Sequence, residues 1–202
     1  MRPTTRVAGR ADVRGLASVF AQAFHDDPVM AWILPEERAR TVGLPRLFAT
    51  MLRHFYLPYG ATDLAAQDTA RDPLGGAVWT PPGHWQPTRW RGLRAIPGLA
   101  RATGRRGRAG VRVTEALERA HPHDPHWYLA IVGVSPAAQG TGIGGELIRA
   151  RLATCDQLGM PAYLEASKAG LVGYYERFDF RVTREITIPG GPSLWAMRRE
   201  PR

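Results

Sequence analysis

An α/β domain is the fold class that the sequence predicts, and three observations carry the prediction. Helix-like and strand-like apolar patterns alternate along 202 residues, a length suited to one domain with an ample core. The densest apolar run, Trp127 to Val134, reads as a central strand covered on both faces. A turn at Ser135 to Gln139 and then a glycine-rich stretch follow it, and a helical pattern runs on from there.

Each element can be justified in order. Asp12 is expected to cap a first helix, because Val13, Leu16, Ala17, Phe20 and Phe24 recur at helical spacing. Asp27-Pro28 reads as a second cap with proline at the first helical position, opening Val29 to Leu34. Leu44, Leu47, Phe48, Met51, Leu52 and Phe55 form a third stripe. Ala61 to Gln67 and Gly75 to Thr80 are short strand candidates around a polar turn at Asp68 to Pro73. Residues 84–126 are the least legible, an inserted, arginine-rich helical segment within the single domain, with Val113 to Ala120 its clearest helical pattern. After the glycine turn a helix runs to Leu158, where Gly159 and Pro161 stop it. Ala162 to Ser167 is a strand, Leu171 to Phe178 a short helix, and Phe180 to Ile188 and Ser193 to Arg199 are strands around Pro189-Gly190-Gly191-Pro192.

Composition narrows the function classes. The net charge is +9, and only Lys168 among the 27 cations is a lysine. Nine arginines against Glu115 and Glu118 put +7 of that charge in residues 89–119. Without regular aromatic interleaving the stretch reads as a solvated helical face, so no nucleic-acid partner is expected. Trp127 to Val134 is too short to cross a bilayer, no apolar signal core follows the first residues, and one cysteine suits a reducing compartment. A cytoplasmic location without membrane contact is therefore expected. Cys155 falls on the inner face of the helix that precedes Gly159 and reads as core filling. His121, His123 and His126 lie in a proline-containing connector, a poor platform for a metal, and no metal is expected.

The turn Gly140-Thr141-Gly142-Ile143-Gly144-Gly145 carries the chemistry. Glycines let backbone N–H groups approach phosphate oxygens, and the helix N-terminus adds its positive dipole end. No Gly-Lys-Ser/Thr follows, which removes a Walker A loop. Gly140, Gly142 and Gly145 match a dinucleotide fingerprint, with Glu165 near the position of a ribose-binding acid. Against it, five residues separate the strand from Gly140, and the 57 residues after Gly145 are too few for the rest of a doubly wound fold.

Val134-x-Pro136-x-x-Gln139-Gly140-x-Gly142-Ile143-Gly144 resembles motif A of the GNAT superfamily of acetyl-CoA-dependent N-acetyltransferases. Gln139, Gly142 and Gly144 take the positions of its Gln/Arg-x-x-Gly-x-Gly/Ala pattern. Tyr175 to Phe180 resembles the family's Tyr-x-x-x-Gly-Phe, with Asp179 in place of glycine. The resemblance spans 127–199 closely and 1–80 loosely. It implies a mixed central sheet of about seven strands flanked by helices. It also implies transfer of acetyl from acetyl-CoA to a small-molecule amine by direct attack in a ternary complex, the acceptor extending to aminonucleosides and other antibiotic-like amines. A weakly active acyl-CoA-binding regulatory module and an enzyme acting on a protein amine are the alternatives.

Site residues follow from the same resemblance. Val132, Gly133 and Val134 would present backbone groups to pantetheine and the thioester, and Gln139, Gly140, Thr141, Gly142, Ile143, Gly144 and Gly145 would hold the pyrophosphate. Tyr175 would protonate the thiolate, and Glu165 would serve as base or merely cap a neighbouring backbone group. Asp27, between the first two helices, would attract a cationic acceptor. Leu171 stands where an asparagine often contacts pantetheine, so that side-chain contact is lost.

Overall fold

The computed structural model describes residues 3–67 and 72–202. Seven strands form one sheet in the order β1-β2-β3-β4-β5-β7-β6. They are β1 (Thr4–Val7), β2 (Thr62–Ala66), β3 (Pro73–Thr80), β4 (Trp127–Val134), β5 (Ala162–Ala166), β6 (Arg181–Thr187) and β7 (Ser193–Arg199). Only β4 and β5 run parallel; all other neighbours are antiparallel. The mixed sheet agrees with the expectation and excludes a doubly wound nucleotide fold, whose strands would be parallel.

Helices cover both faces. On one side lie α1 (Val13–Ala23), α2 (Pro28–Ile33) and α3 (Glu37–Met51), the last continuing as a wide turn through Leu52–Tyr56. Leu16, Phe20, Leu44 and Phe48 pack there against Val78, Ile131 and Tyr163. On the other side α6 (Ile143–Gln157) and the short α7 (Val172–Glu176) bury Leu147, Ile148, Cys155, Tyr175 and Phe180 against Trp79 and Leu129. Period-2 alternation along β4 thus feeds two cores, which is why the strand is apolar throughout.

Between β3 and β4 the arginine-rich segment forms α4 (Arg89–Thr103) and α5 (Gly107–Ala120). A Cβ on Gly98 would lie 2.4 Å from Thr50 Oγ1, and one on Gly43 would lie 2.5 Å from the Ala102 carbonyl oxygen. Glycine at both contacts lets α4 cross α3 at close range. Arg106 donates to the carbonyls of Trp32 (2.9 Å) and Ile33 (3.3 Å), satisfying acceptors that the end of α2 leaves free.

Three local readings differ from the structure. Asp12 does not cap α1; its carboxylate accepts from the Gly9 N–H at 2.8 Å and pairs with Arg6, and a 3-10 turn at Arg10–Asp12 leads into the helix. Strand β1 carried no sequence signal, because its four residues are all exposed and polar in pattern. β3 begins at Pro73 rather than Gly75, while most of the turn read at Asp68 to Pro73 lies outside the described residues.

Candidate functional site

The site begins with a fault in the sheet. Gly75 to Val78 pair with Val134 to Ile131, but Trp79 pairs with Leu129, so Ala130 is an extra residue bulged out of β4. A bulge bends its strand and increases local twist. Correspondingly, β4 and β5 pair only from Trp127–Ala162 to Leu129–Leu164, although β4 continues to Val134 and β5 to Ala166. The strands therefore part into a cleft. Backbone groups of residues 130–134 that would have bonded to β5 are left for a ligand.

Val132 and Val134, half-buried, line the α6 side of β4. Gly133 points the other way: a Cβ there would meet Phe20 at 2.9 Å and Ala23 at 3.2 Å. Its lack of a side chain serves the packing of α1, independently of any cofactor. At the end of β4, Gln139 Nε2 donates to the Val134 carbonyl at 3.2 Å and ties the turn back to the strand. Thr141 Oγ1 donates to the Ala138 carbonyl at 2.6 Å. Gly140 and Gly142 have φ of 78° and 91°, with open space where a Cβ would be. Backbone conformation rather than crowding selects glycine at both positions. Gly142 caps α6 with no side chain, so the first N–H groups of a 15-residue helix stand uncovered toward the cleft.

Two cations that sequence reasoning missed flank this turn. The Arg149 guanidinium lies 5.2 Å from the Phe178 ring centroid, with Nη1 3.3 Å from where a Gly145 Cβ would be. Arg177 lies 4.7 Å from the Tyr174 ring, whose hydroxyl sits 3.3 Å from the corresponding point on Gly144. Helical periodicity places Arg149 one turn after Gly145, a signal hidden among so many arginines.

The adjacent tyrosines separate. Tyr174 faces the glycine turn, half-buried. Tyr175 is buried in the α6 core, and burial raises its phenol above the ordinary value, with Tyr174 and then the Asp27 charge adding to the shift. Asp179, where the resemblance has glycine, is the one non-glycine residue with positive φ (65°) among the described residues. Aspartate tolerates this left-handed conformation better than most residues, and its carboxylate pairs with Arg202.

Asp27 is 3% exposed. Its Oδ1 accepts from the N–H groups of Val29 (2.9 Å) and Met30 (3.2 Å), capping α2, and its Oδ2 accepts from the Ser167 hydroxyl at the end of β5. The contacts of the carboxylate are thus internal, and its charge is felt through space by the Tyr175 phenol.

Glu165 lies one residue beyond the last β4–β5 pair. Its side chain is 3% exposed, and Oε1 is buried without a hydrogen-bond partner. His121 Nδ1 faces that oxygen at 3.5 Å. Tyr56, Tyr128 and Tyr163 surround the group, and all three phenols are raised, by burial first and the Glu165 charge second. The connector histidines are thereby brought into the core: His121 and His126 are each 4% exposed with their Nε2 atoms 2.9 Å apart, while His123 takes no part. Cys155 is fully buried, and burial pushes its thiol up to about 11, so it is no nucleophile at neutral pH.

The chain is similar to known acetyltransferases. Residues 98–180 match the model of the acetyltransferase (GNAT) family, a match that begins inside α4. An uncharacterized N-acetyltransferase of Schizosaccharomyces pombe is 28% identical over 186 residues, covering 88% of this chain and 74% of that protein. A Corynebacterium glutamicum structure described as histone acetyltransferase HPA2 and related acetyltransferase superposes with a TM-score of 0.74 at 27% identity, covering 100% of this chain and 98% of that one. The polyamine N-acetyltransferase of Drosophila melanogaster has the same fold, with a TM-score of 0.63 at 13% identity over 98% of this chain and 99% of that one.

Proposed function

We propose that this chain is a GNAT-type, acetyl-CoA-dependent N-acetyltransferase whose acceptor is the amine of a small molecule, attacking the thioester directly in a ternary complex; the family match over residues 98–180 and the likeness to acetyltransferases along most of the chain support the reading. The observation that carries the proposal is the parting of β4 from β5 beyond the Leu129–Leu164 pair, with a helix N-terminus that no side chain caps shortly after β4; Glu165, one residue past that pair, and the buried Tyr175 are the groups read as reactive.

Each step has a candidate group. The N–H groups of Gly140 to Gly145 hold the pyrophosphate, assisted by Arg149 and Arg177. Main-chain groups of Val132, Gly133 and Val134 align pantetheine, and an N–H aimed at the thioester oxygen stabilises the developing oxyanion by ~3 kcal/mol. Glu165 receives the proton of the acceptor ammonium. The neutral amine attacks the carbonyl carbon, the C–S bond breaks, and Tyr175 gives its proton to the thiolate. The raised phenol of Tyr175 keeps that proton in place until the thiolate forms beside it. Asp27 adds negative charge near the reaction centre, which favours a cationic acceptor and a protonated Tyr175 together.

For the acceptor, the strands around the cleft are similar to puromycin N-acetyltransferase: Trp127 to Pro136, Leu164 to Ser167, and Pro189-Gly190-Gly191-Pro192 before Trp195. Asp27 departs from it, standing where that enzyme has an aromatic residue. The likeness supports an aminonucleoside or another antibiotic-like amine, and the carboxylate supports a cation in place of a stacked ring. A protein amine is the second reading, favoured by the name of the Corynebacterium relative. A thiol-release screen of puromycin, aminoglycosides, polyamines and peptide N-termini tests the proposal. Turnover with a small amine supports it. Acetyl-CoA binding without turnover of any amine would indicate the regulatory alternative.

A further inference from the structure

Behind Glu165 the described groups form a chain of hydrogen-bonding atoms whose protons can be assigned. His126 Nδ1 lies 2.7 Å from the Asp124 carbonyl oxygen. A carbonyl only accepts, so Nδ1 of His126 carries a proton. Burial lowers the tendency of His126 to hold a second one. Its Nε2 is then an acceptor, and the group placed to donate to it among the described residues is His121 Nε2, 2.9 Å away. His121 therefore bears its proton on Nε2 and turns the bare lone pair of Nδ1 toward Glu165.

Two buried acceptors then face each other, Nδ1 of His121 and Oε1 of Glu165, with side chains 1% and 3% exposed. Their separation of 3.5 Å is longer than a hydrogen bond, as two lone pairs require. Oε1 is otherwise unpartnered, an arrangement that costs free energy when buried. One added proton would satisfy both atoms. The Trp85 ring stacks on the His121 ring at 3.8 Å, a face that can accommodate an imidazolium, while Tyr128 and Tyr163 meet that ring edge-on.

We infer that His121 and Glu165 together form the proton receptacle of the reaction, with His126 a positioning residue that fixes the His121 tautomer; the inference rests on Glu165 as the base. The acceptor ammonium gives one proton to Glu165, and the proton settles between Oε1 and Nδ1 as an imidazolium–carboxylate pair. The free amine then forms the C–N bond as the C–S bond breaks. A second proton leaves the nitrogen and replaces the one that Tyr175 has given to the thiolate. The proton in the receptacle returns to solvent after the products leave, which balances the reaction at one proton released per acetyl transferred. The groups facing the pair are Tyr56 from the extension of α3, Tyr128 from β4 and Tyr163 from β5; His126 faces Asp124 and Arg198.

The test needs no substitution at first. In protein labelled with nitrogen-15 at histidine, long-range nitrogen–proton spectra at pH 8 should show neutral His126 protonated at Nδ1 and His121 protonated at Nε2. A His121 protonated at Nδ1 overturns the inference, because that tautomer already donates to Glu165 and leaves no vacancy. Kinetics with puromycin and spermidine as probe acceptors supply the second arm. His121→Gln should slow kcat by about 10²-fold at pH 7 with unchanged acetyl-CoA affinity, the scale of a general base. The defect should shrink as rising pH deprotonates the amine in solution, and His126→Gln should show a weaker form of the same pH-dependent loss. A loss independent of pH, or none, overturns the receptacle. If Glu165→Gln is itself harmless, the assignment of the base fails first; if it is harmful while His121→Gln is harmless, only the present inference fails.

Discussion

The glycine turn follows β4 and the histidines of the cluster precede it, and the two regions are built in opposite ways. At the turn, function is presented by the main chain. Gly140 and Gly142 adopt positive φ, Gln139 ties the turn to Val134, and α6 offers its first N–H groups. All of this is local, so six consecutive residues reveal it. The cluster is presented by side chains drawn from the α3 extension, the connector before β4, β4 itself and β5. His121, His126 and Tyr128 are close in sequence, as are Tyr163 and Glu165, but Tyr56 and these two groups lie far from one another along the chain, so spacing does not expose the cluster. Main-chain sites leave motifs, whereas side-chain sites assembled by topology leave isolated residues that read as filler.

The largest expected effect is on the turn. Gly142→Asp places a negative charge beside the pyrophosphate on a backbone with φ of 91° and should weaken acetyl-CoA by 10²-fold or more in calorimetry. Gly142→Ala carries the same backbone strain, of order 1 kcal/mol, without the charge. If alanine weakens binding as much as aspartate, conformation alone accounts for the site.

Tyr175→Phe sharpens the comparison on the cleft wall. A loss of about 10²-fold in kcat is expected with little change in acetyl-CoA affinity, the signature of a lost general acid. Tyr174→Phe should be mild in kcat and act instead through affinity, because its ring lies against the glycine turn beside Arg177. The reverse ranking would exchange their roles.

Remote from both regions, Asp156 makes two bonds to the buried Arg199, at 2.7 and 2.9 Å. Asp156→Asn should cost about 2 kcal/mol in chemical denaturation without altering kcat, less than the roughly 3–5 kcal/mol of breaking a fully buried pair, because Asp156 is partly exposed. Arg199 holds the Asp156 carboxyl below its ordinary value. Its stabilisation is therefore complete above a pH of about 4 and is lost as pH falls through the lowered folded value. The difference between wild type and variant should narrow in acid.

Asp27→Asn gives the smallest change. Asparagine caps α2 about as well with its one oxygen, and its NH2 can then donate to the Ser167 hydroxyl, so stability should fall by less than about 1 kcal/mol. The KM for a cationic amine should rise while acetyl-CoA affinity holds. An unchanged KM would confine Asp27 to its cap.

Legibility follows the same division. The central strand, the glycine turn and the stop at Gly159 could be read because each has a local physical cause. Strand β1 could not: its residues are exposed, and only pairing with β2 makes it a strand. The helices of the arginine-rich segment were half-hidden because Pro97, Gly98, Gly104 and Gly107 interrupt the apolar pattern. Gly98 is there for the approach to Thr50, a tertiary reason invisible in one chain segment. The β4 bulge is equally silent, since Ala130 looks like any other apolar residue until its partners in β3 are counted.

Hydrogen–deuterium exchange with and without acetyl-CoA tests the central claim most directly, because it reports where the cofactor meets the main chain. Protection is expected in residues 130–134 and 140–146, with little change across Arg89 to Arg119. Protection confined to the arginine-rich helices, or unchanged exchange in the glycine turn at saturating acetyl-CoA, would contradict the account.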